Sequence, residues 1–266
     1  DQAGLEIMLL GPAISALADV VVAVTGGNLQ PRRNNQPIDM WRSQILNKND
    51  ILSFVSPLNG FRAYVALAGG ISVPPVMGSR STNLPSCFGG LQGRALEKND
   101  ILTSENHSQC VKTGTRIFSA AWIPVYPDNW SVRVIWGPQD DHFPAESRAS
   151  FLDATYMMSA DSDRTGIRLQ GPVIRQKPDI QASIISEGVI SGSVQIPGDG
   201  MPIIILGETV TGGYRKIATV ISADLPLLGQ IKPGDSMRFT AVSLDEARQA
   251  LIAVEENVRR FEESLT

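Results

Sequence analysis

Cysteine and histidine are scarce in this 266-residue chain, which holds two of each. Cys87 and Cys110 are too few for a disulfide framework and lack the paired spacing of a zinc clip, which fits a reducing, cytoplasmic setting. His107 and His142 lie far apart, so a histidine-built metal site is not expected and each reads as a surface residue. Long hydrophobic runs are missing as well. The longest, residues 12–24, is interrupted by Asp19 and falls short of the roughly 20 residues that span a bilayer. Nor is there an excess of positive charge: 23 Lys and Arg stand against 27 Asp and Glu, for a net charge of -4 and a pI near 5.3. That balance removes the electrostatic pull on which non-specific nucleic-acid binding relies. The chain opens at Asp1 with no initiator Met, basic n-region or apolar h-region. No signal peptide is therefore expected, and the natural start is expected upstream.

Several catalytic signatures are absent too. There is no Gly-x-Ser-x-Gly elbow, no Gly-x-x-x-x-Gly-Lys phosphate loop and no His-Glu-x-x-His zinc helix. An Ala-Met-Lys-Met stretch, the mark of a biotin carrier, is also lacking. Cys87 has no basic neighbour in sequence to lower its thiol pKa and reads as a small packing residue.

What is present is apolar material in short pieces. The chain is 42% hydrophobic and 19% charged, enough for a packed core, and its 24 Gly and 17 Pro supply many turns. Runs rich in Val and Ile at residues 5–10, 19–24, 51–55, 62–67, 131–136, 194–197, 202–206, 217–221 and 237–242 read as strands bounded by turn formers. The expected class is mainly β, a barrel or sandwich. Asn47-Lys48-Asn49-Asp50-Ile51-Leu52 returns as Glu97-Lys98-Asn99-Asp100-Ile101-Leu102, with an echo at Ile231-Lys232-Pro233-Gly234-Asp235-Ser236-Met237. Two readings stay open: turn chemistry arrived at separately, or equivalent corners of two related barrels. The proline-rich stretch Ile123-Pro124-Val125-Tyr126-Pro127-Asp128-Asn129 places a domain boundary between residues 1–124 and 125–266.

Helices are few. One is expected at residues 145–154 and a short turn at 222–226. The last begins with a capping box, Ser243 with Glu246, and carries Ala247, Leu251, Val254, Val258, Phe261 and Leu265 at alternating spacings of four and three. That stripe is expected to be buried over a barrel mouth, or else to serve as a partner-binding or dimerising seam.

Four clusters set polar groups beside glycines, where backbone can approach a small ligand. In the first, Gly78-Ser79-Arg80-Ser81-Thr82 follows a Gly-Gly and Pro-Pro turn, and Arg80 offers a fork of donors to a carboxylate. The second, residues 162–172, contains Asp163, Arg164 and Arg168, which read as a solvated ion-pair group. In the third, Gln195 sits on a strand pointing into the barrel and needs a polar partner. The fourth, residues 208–216, joins Thr211, Gly212, Gly213, Tyr214 and Lys216. Its glycine N–H groups and lysine are suited to a developing negative charge on oxygen; the alternative is a hairpin with a Gly-Gly bend and a snorkelling lysine.

Taken in order, Ala68-Gly69-Gly70-Ile71, Val73 to Thr82, Phe88-Gly89-Gly90-Leu91-Gln92-Gly93-Arg94, Ser162-Asp163-Arg164, Arg168 to Pro172 and Thr211-Gly212-Gly213-Tyr214 resemble the biotin-dependent carboxyltransferase family that includes the C subunit of 5-oxoprolinase. That family also holds kinase-inhibitor antagonists and part of urea amidolyase. The resemblance implies two cyclophilin-like β-barrel halves, the first lacking an N-terminal segment. It implies a subunit of an ATP-dependent 5-oxoprolinase working with subunits A and B-like proteins, one of them kinase-inhibitor-like, with ATP handled by those partners. In that setting Ser79, Arg80, Ser81, Thr82, Asp163, Arg164, Gln195 and Tyr214 bind substrate, Arg80 pairing with its carboxylate. Thr211, Gly212, Gly213 and Lys216 do the catalytic work. Carboxyl transfer to urea from carboxybiotin on a separate carrier, and non-catalytic capture of a kinase inhibitor, are the alternatives. The loop before Gly212 departs from the family pattern by one residue, with Glu208 standing where its acid is expected.

Overall fold

The computed structural model describes residues 2–104, 116–181, 183–207 and 209–264. His107, Cys110, Glu208 and Leu265 lie outside them. The chain divides into two compact units, Asp1–Val125 and Tyr126–Thr266.

In the first unit, two four-stranded sheets share one core. One runs in the order β1-β8-β3-β6, from β1 (Leu5–Met8), β3 (Val20–Asn28), β6 (Ser43–Leu46) and β8 (Asn59–Leu67). The other, β2-β7-β4-β5, comprises β2 (Ile14–Ser15), β4 (Arg32–Arg33), β5 (Gln36–Pro37) and β7 (Ile51–Ser53). Ile7, Val22, Val24, Leu46, Leu52, Ala63 and Val65 meet between them. Period-two alternation sends these residues inward and leaves Glu6, Met8 and Tyr64 on the outer side.

Among the described residues of the second unit, seven strands close into a barrel in the order β10-β11-β14-β13-β16-β9-β17. They are β9 (Asn129–Trp136), β10 (Tyr156–Met158), β11 (Gly166–Gln170), β13 (Ser193–Ile196), β14 (Ile203–Ile205), β16 (Arg215–Val220) and β17 (Ser236–Ala241). β12 (Glu187–Gly188) and β15 (Thr211–Gly212) form a separate two-stranded arm. The pairings are antiparallel except for β17 on β9, which is parallel. Val132, Val134, Ile167, Leu169, Val194, Ile196, Ile204 and Ile217 fill the interior. Phe151, on helix α1 (Ala145–Asp153), stacks on Phe239 with ring centroids 4.5 Å apart and closes the core beside Tyr156. Burial of each such side chain stabilises the fold by about 1.5–3 kcal/mol before chain entropy is counted.

Two helices follow: the single turn α2 (Leu225–Leu228) and the terminal α3 (Leu244–Ser264). The capping box is present: the Glu246 carboxylate accepts the Ser243 N–H at 2.7 Å, and the Ser243 hydroxyl accepts the Glu246 N–H at 3.2 Å. Burial of the stripe is not observed. Ala247, Leu251 and Phe261 are half-buried, while Val254 and Val258 are exposed, Val258 at 54%. The helix touches its unit near Ser222–Asp224 and β9.

The three related sequence turns adopt one conformation. Asn49, Asn99 and Gly234 have φ of 75°, 78° and 89°. The aspartate that follows each folds back to accept the N–H three residues earlier: Asp50 from Asn47 at 2.7 Å, Asp100 from Glu97 at 2.7 Å, Asp235 from Lys232 at 3.1 Å. Each carboxylate also holds a cation, Arg33, Arg94 and Lys232 in turn. Cys87 departs from expectation. It is exposed, at a φ of 54°, with its thiol 3.5 Å from the Leu84 carbonyl, and so serves a turn rather than the core.

Candidate functional site

The polar clusters fall into two clefts, one in each unit. In the first unit a cleft of about 490 Å³ is lined by Gln2, Gly4, Pro75, Ser79, Arg80 and Ser81. A hairpin with Met77 and Gly78 at φ of 50° and 81° turns the serines together, and the Ser79 and Ser81 hydroxyls lie 2.8 Å apart. Arg80 donates to the backbone carbonyl of Val73, so part of its fork is engaged within the loop. Thr82 is not among the lining residues; its hydroxyl packs against Gly90, where no side chain would fit.

In the second unit a cleft of about 270 Å³ lies on the outer face of the barrel beside the β12–β15 arm. Gln195 is at its base. The apolar neighbours Val194 and Ile196 occupy the core, so alternation turns Gln195 outward, the reverse of the orientation expected from its sequence. Only 3% exposed, it donates its Nε2 to the Tyr214 carbonyl at 3.4 Å. Gly212 lies across it: a Cβ there would stand 2.3 Å from Gln195 Nε2 and displace the amide from its present position. Thr211, Gly213 and Tyr214 line the same cleft.

The two glycine amides are not equivalent. Gly212 pairs with Glu187 in the arm, and Val189 N–H donates to the Val210 carbonyl two residues along. Alternation of an antiparallel ladder then puts the Gly212 N–H in hydrogen-bonding register with Glu187. Gly213 lies beyond the paired residues, its carbonyl accepting Ile184 N–H at 2.9 Å.

Lys216 is not a lining residue of this cleft. It is 5% exposed, and its ammonium pairs with the Glu187 carboxylate. Gln139 joins them by donating Nε2 to Glu187 at 2.8 Å and accepting the Lys216 N–H at 3.0 Å. Lys216 first, and Gln139 second, hold the Glu187 carboxyl below its ordinary range. This trio fixes the arm to β16.

Asp163 and Arg168 line the cleft, but not as an ion pair. Asp163 Oδ1 accepts the N–H groups of Thr165 and Gly166 at 2.8 and 3.0 Å, an Asx turn that starts β11. Arg164 is not a lining residue of it. His142 also differs from expectation: half-buried, it accepts a hydrogen bond at Nδ1 from Arg215 Nε at 2.8 Å. Thr165, Gly166, Arg168, Ile203, Ile205 and Thr209 are the lining residues given no site role from sequence. The usable signal was alternation in residues 166–170 and 203–205, which sets Arg168, Ile203 and Ile205 on one face. No cluster of potential ligands for a metal ion occurs among the described residues, and none of their helices is long and apolar enough to cross a membrane.

Residues 1–241 match the family described as carboxyltransferase domain, subdomain A and B. The chain is 34% identical over 248 residues to the C subunit of 5-oxoprolinase from Escherichia coli, covering 92% of this chain and 77% of that protein. It is 31% identical over 246 residues to the protein of the same name from Haemophilus influenzae, covering 91% and 76%. Among solved structures, the K. lactis urea amidolyase superposes with a TM-score of 0.86 at 29% identity. That superposition takes in 97% of this chain and 17% of the larger one.

Proposed function

Because the chain belongs to the carboxyltransferase domain, subdomain A and B, family, we propose that it is one subunit of an ATP-dependent 5-oxoprolinase, opening the lactam of 5-oxo-L-proline to L-glutamate. Its partners are proteins like 5-oxoprolinase subunits A and B, one of them kinase-inhibitor-like, and the assembly works in the cytoplasm. The observation that carries the reading is the amide of Gln195, almost wholly buried yet lining a cleft of about 270 Å³. A buried amide aimed at a small cleft recognises a group with matching donor and acceptor edges, and a lactam has both.

A lactam resists attack because the nitrogen lone pair delocalises into its carbonyl, so charge must be stabilised on oxygen as that resonance is lost. This chain's part is to hold the ring. Gln195 reads the amide edge, and Thr211, Gly213 and Tyr214 supply donors around the carbonyl. Gly212 admits the close approach. Lys216 acts through Glu187 to hold the arm in place. Asp163 and Arg164 shape the loop leading into β11. The first unit's cleft, with Ser79, Arg80, Ser81 and the adjoining Thr82, is assigned to a planar oxyanion. ATP is bound by the partners, since this sequence contains no phosphate loop.

The superposition on urea amidolyase favours a second reading, carboxyl transfer to urea. Carboxybiotin on a separate carrier supplies the carboxyl group in that chemistry, and the donors around Gln195 suit its ureido oxygen. Co-purification with the products of neighbouring genes, followed by assay of ATP-dependent glutamate release from 5-oxoproline, tests the first reading. Bicarbonate incorporation into urea without glutamate release would replace it with the second.

A further inference from the structure

Three neighbouring strands each place one side chain in a single row across the outer face of the second unit's barrel. Arg168 on β11 pairs with Ile203 on β14, and Ile203 pairs with Gln195 on β13. Ile167, Leu169, Val194, Ile196 and Ile204, their neighbours along the strands, are all in the core. Alternation therefore fixes Arg168, Ile203 and Gln195 outward, and all three line the same cleft. Arg168 and Gln195 stand two strand spacings apart, roughly 10 Å between Cα atoms. Read along the row, the cleft offers a cation, an apolar floor and an amide.

The guanidinium of Arg168 makes no hydrogen bond or ion pair with any described residue; what binds this position is its backbone, whose N–H donates to the Ser162 hydroxyl at 2.9 Å. Arg94, Arg133 and Arg148, by contrast, each hold a carboxylate of this chain at 2.6–2.8 Å. Arg80, the arginine whose sequence surroundings suggest carboxylate binding, lies in the other unit and donates to the backbone carbonyl of Val73.

We propose that Arg168 pairs with a carboxylate on the substrate while Ile203 floors its ring methylenes and Gln195 reads its amide, so that the cleft selects cyclic amides carrying a carboxylate. The assignment rests on the lactam reading above and names the side chain that recognises the substrate's carboxylate. The volume of about 270 Å³ sits just below the roughly 300–1,000 Å³ of pockets for drug-sized ligands, as a small ring requires.

The test measures binding of 5-oxoproline and of 2-pyrrolidinone, the same lactam without the carboxylate, to the assembled complex by calorimetry. A charge-assisted contact predicts that the wild-type complex prefers 5-oxoproline by roughly 10- to 100-fold. Arg168→Met should remove that preference and leave 2-pyrrolidinone binding unchanged, and Arg168→Lys should restore part of it. If both lactams bind and Arg168→Met keeps the preference, the role of Arg168 is overturned while the lactam reading stands. If the wild-type complex binds neither, the lactam reading fails and this assignment with it.

Discussion

Tyr156 buries its hydroxyl in the second core with no hydrogen-bond partner among the described residues, and burial pushes its phenol pKa upward. A buried hydroxyl without a partner keeps its desolvation cost, so Tyr156→Phe should raise the free energy of unfolding by about 1 kcal/mol in a urea titration. A loss of that size would mean the hydroxyl has a partner after all. Asp100 is the opposite case. The Arg94 guanidinium, aided by the Glu97 N–H, brings its carboxyl from 3.8 down to about 2. A depressed carboxyl contributes stability that is complete above its unfolded pKa and fades as pH falls through the folded one. The melting temperature of the wild type should therefore exceed that of Asp100→Asn above pH 4, and the gap should close between pH 4 and 2. Individual side chains were the least legible feature of the sequence. Asp163 looked like one member of an ion pair because two arginines stand near it in sequence. Its oxygen instead takes two backbone N–H groups, a choice set by the turn into β11.

At the scale of elements, legibility followed the density of apolar residues. The nine Val- and Ile-rich runs all contain strands, and the capping box forms as its spacing requires. β2, β4, β5, β6, β10, β12 and β15 escaped notice because strands of two to four residues carry too little periodicity of their own and exist only through their partners. β11 is not among the apolar runs because Gly166, Arg168 and Gln170 interrupt it, while Ile167 and Leu169 between them build the core. The stripe on α3 shows the limit of periodicity, which identifies a helix face but not what covers it. The three aspartate turns do follow from sequence, because left-handed backbone admits Asn and Gly and penalises β-branched residues. Asn49→Val should lower stability by about 1–2 kcal/mol, whereas Asn49→Gly should stay close to wild type. Equal effects of the two would remove backbone conformation as the cause.

For the molecule as a whole, the barrel matters as a support. Its core fixes the register of β11, β14 and β13, and that register sets a cation, an apolar side chain and an amide in one row. The arm then brings Gly212 over Gln195. Sequence reading led to the family and to Gln195 and Gly212, but not to Arg168 and Ile203 or to the order across the sheet, since strand neighbours are distant along the chain. If the cleft over Gln195 holds the amide that reacts, ATP-dependent glutamate release from 5-oxoproline by the assembled complex carrying Gln195→Leu is the deciding measurement. Loss of a buried recognising amide predicts a fall in kcat/KM of roughly 100-fold with the complex still assembled. Wild-type turnover from the Gln195→Leu complex would contradict it.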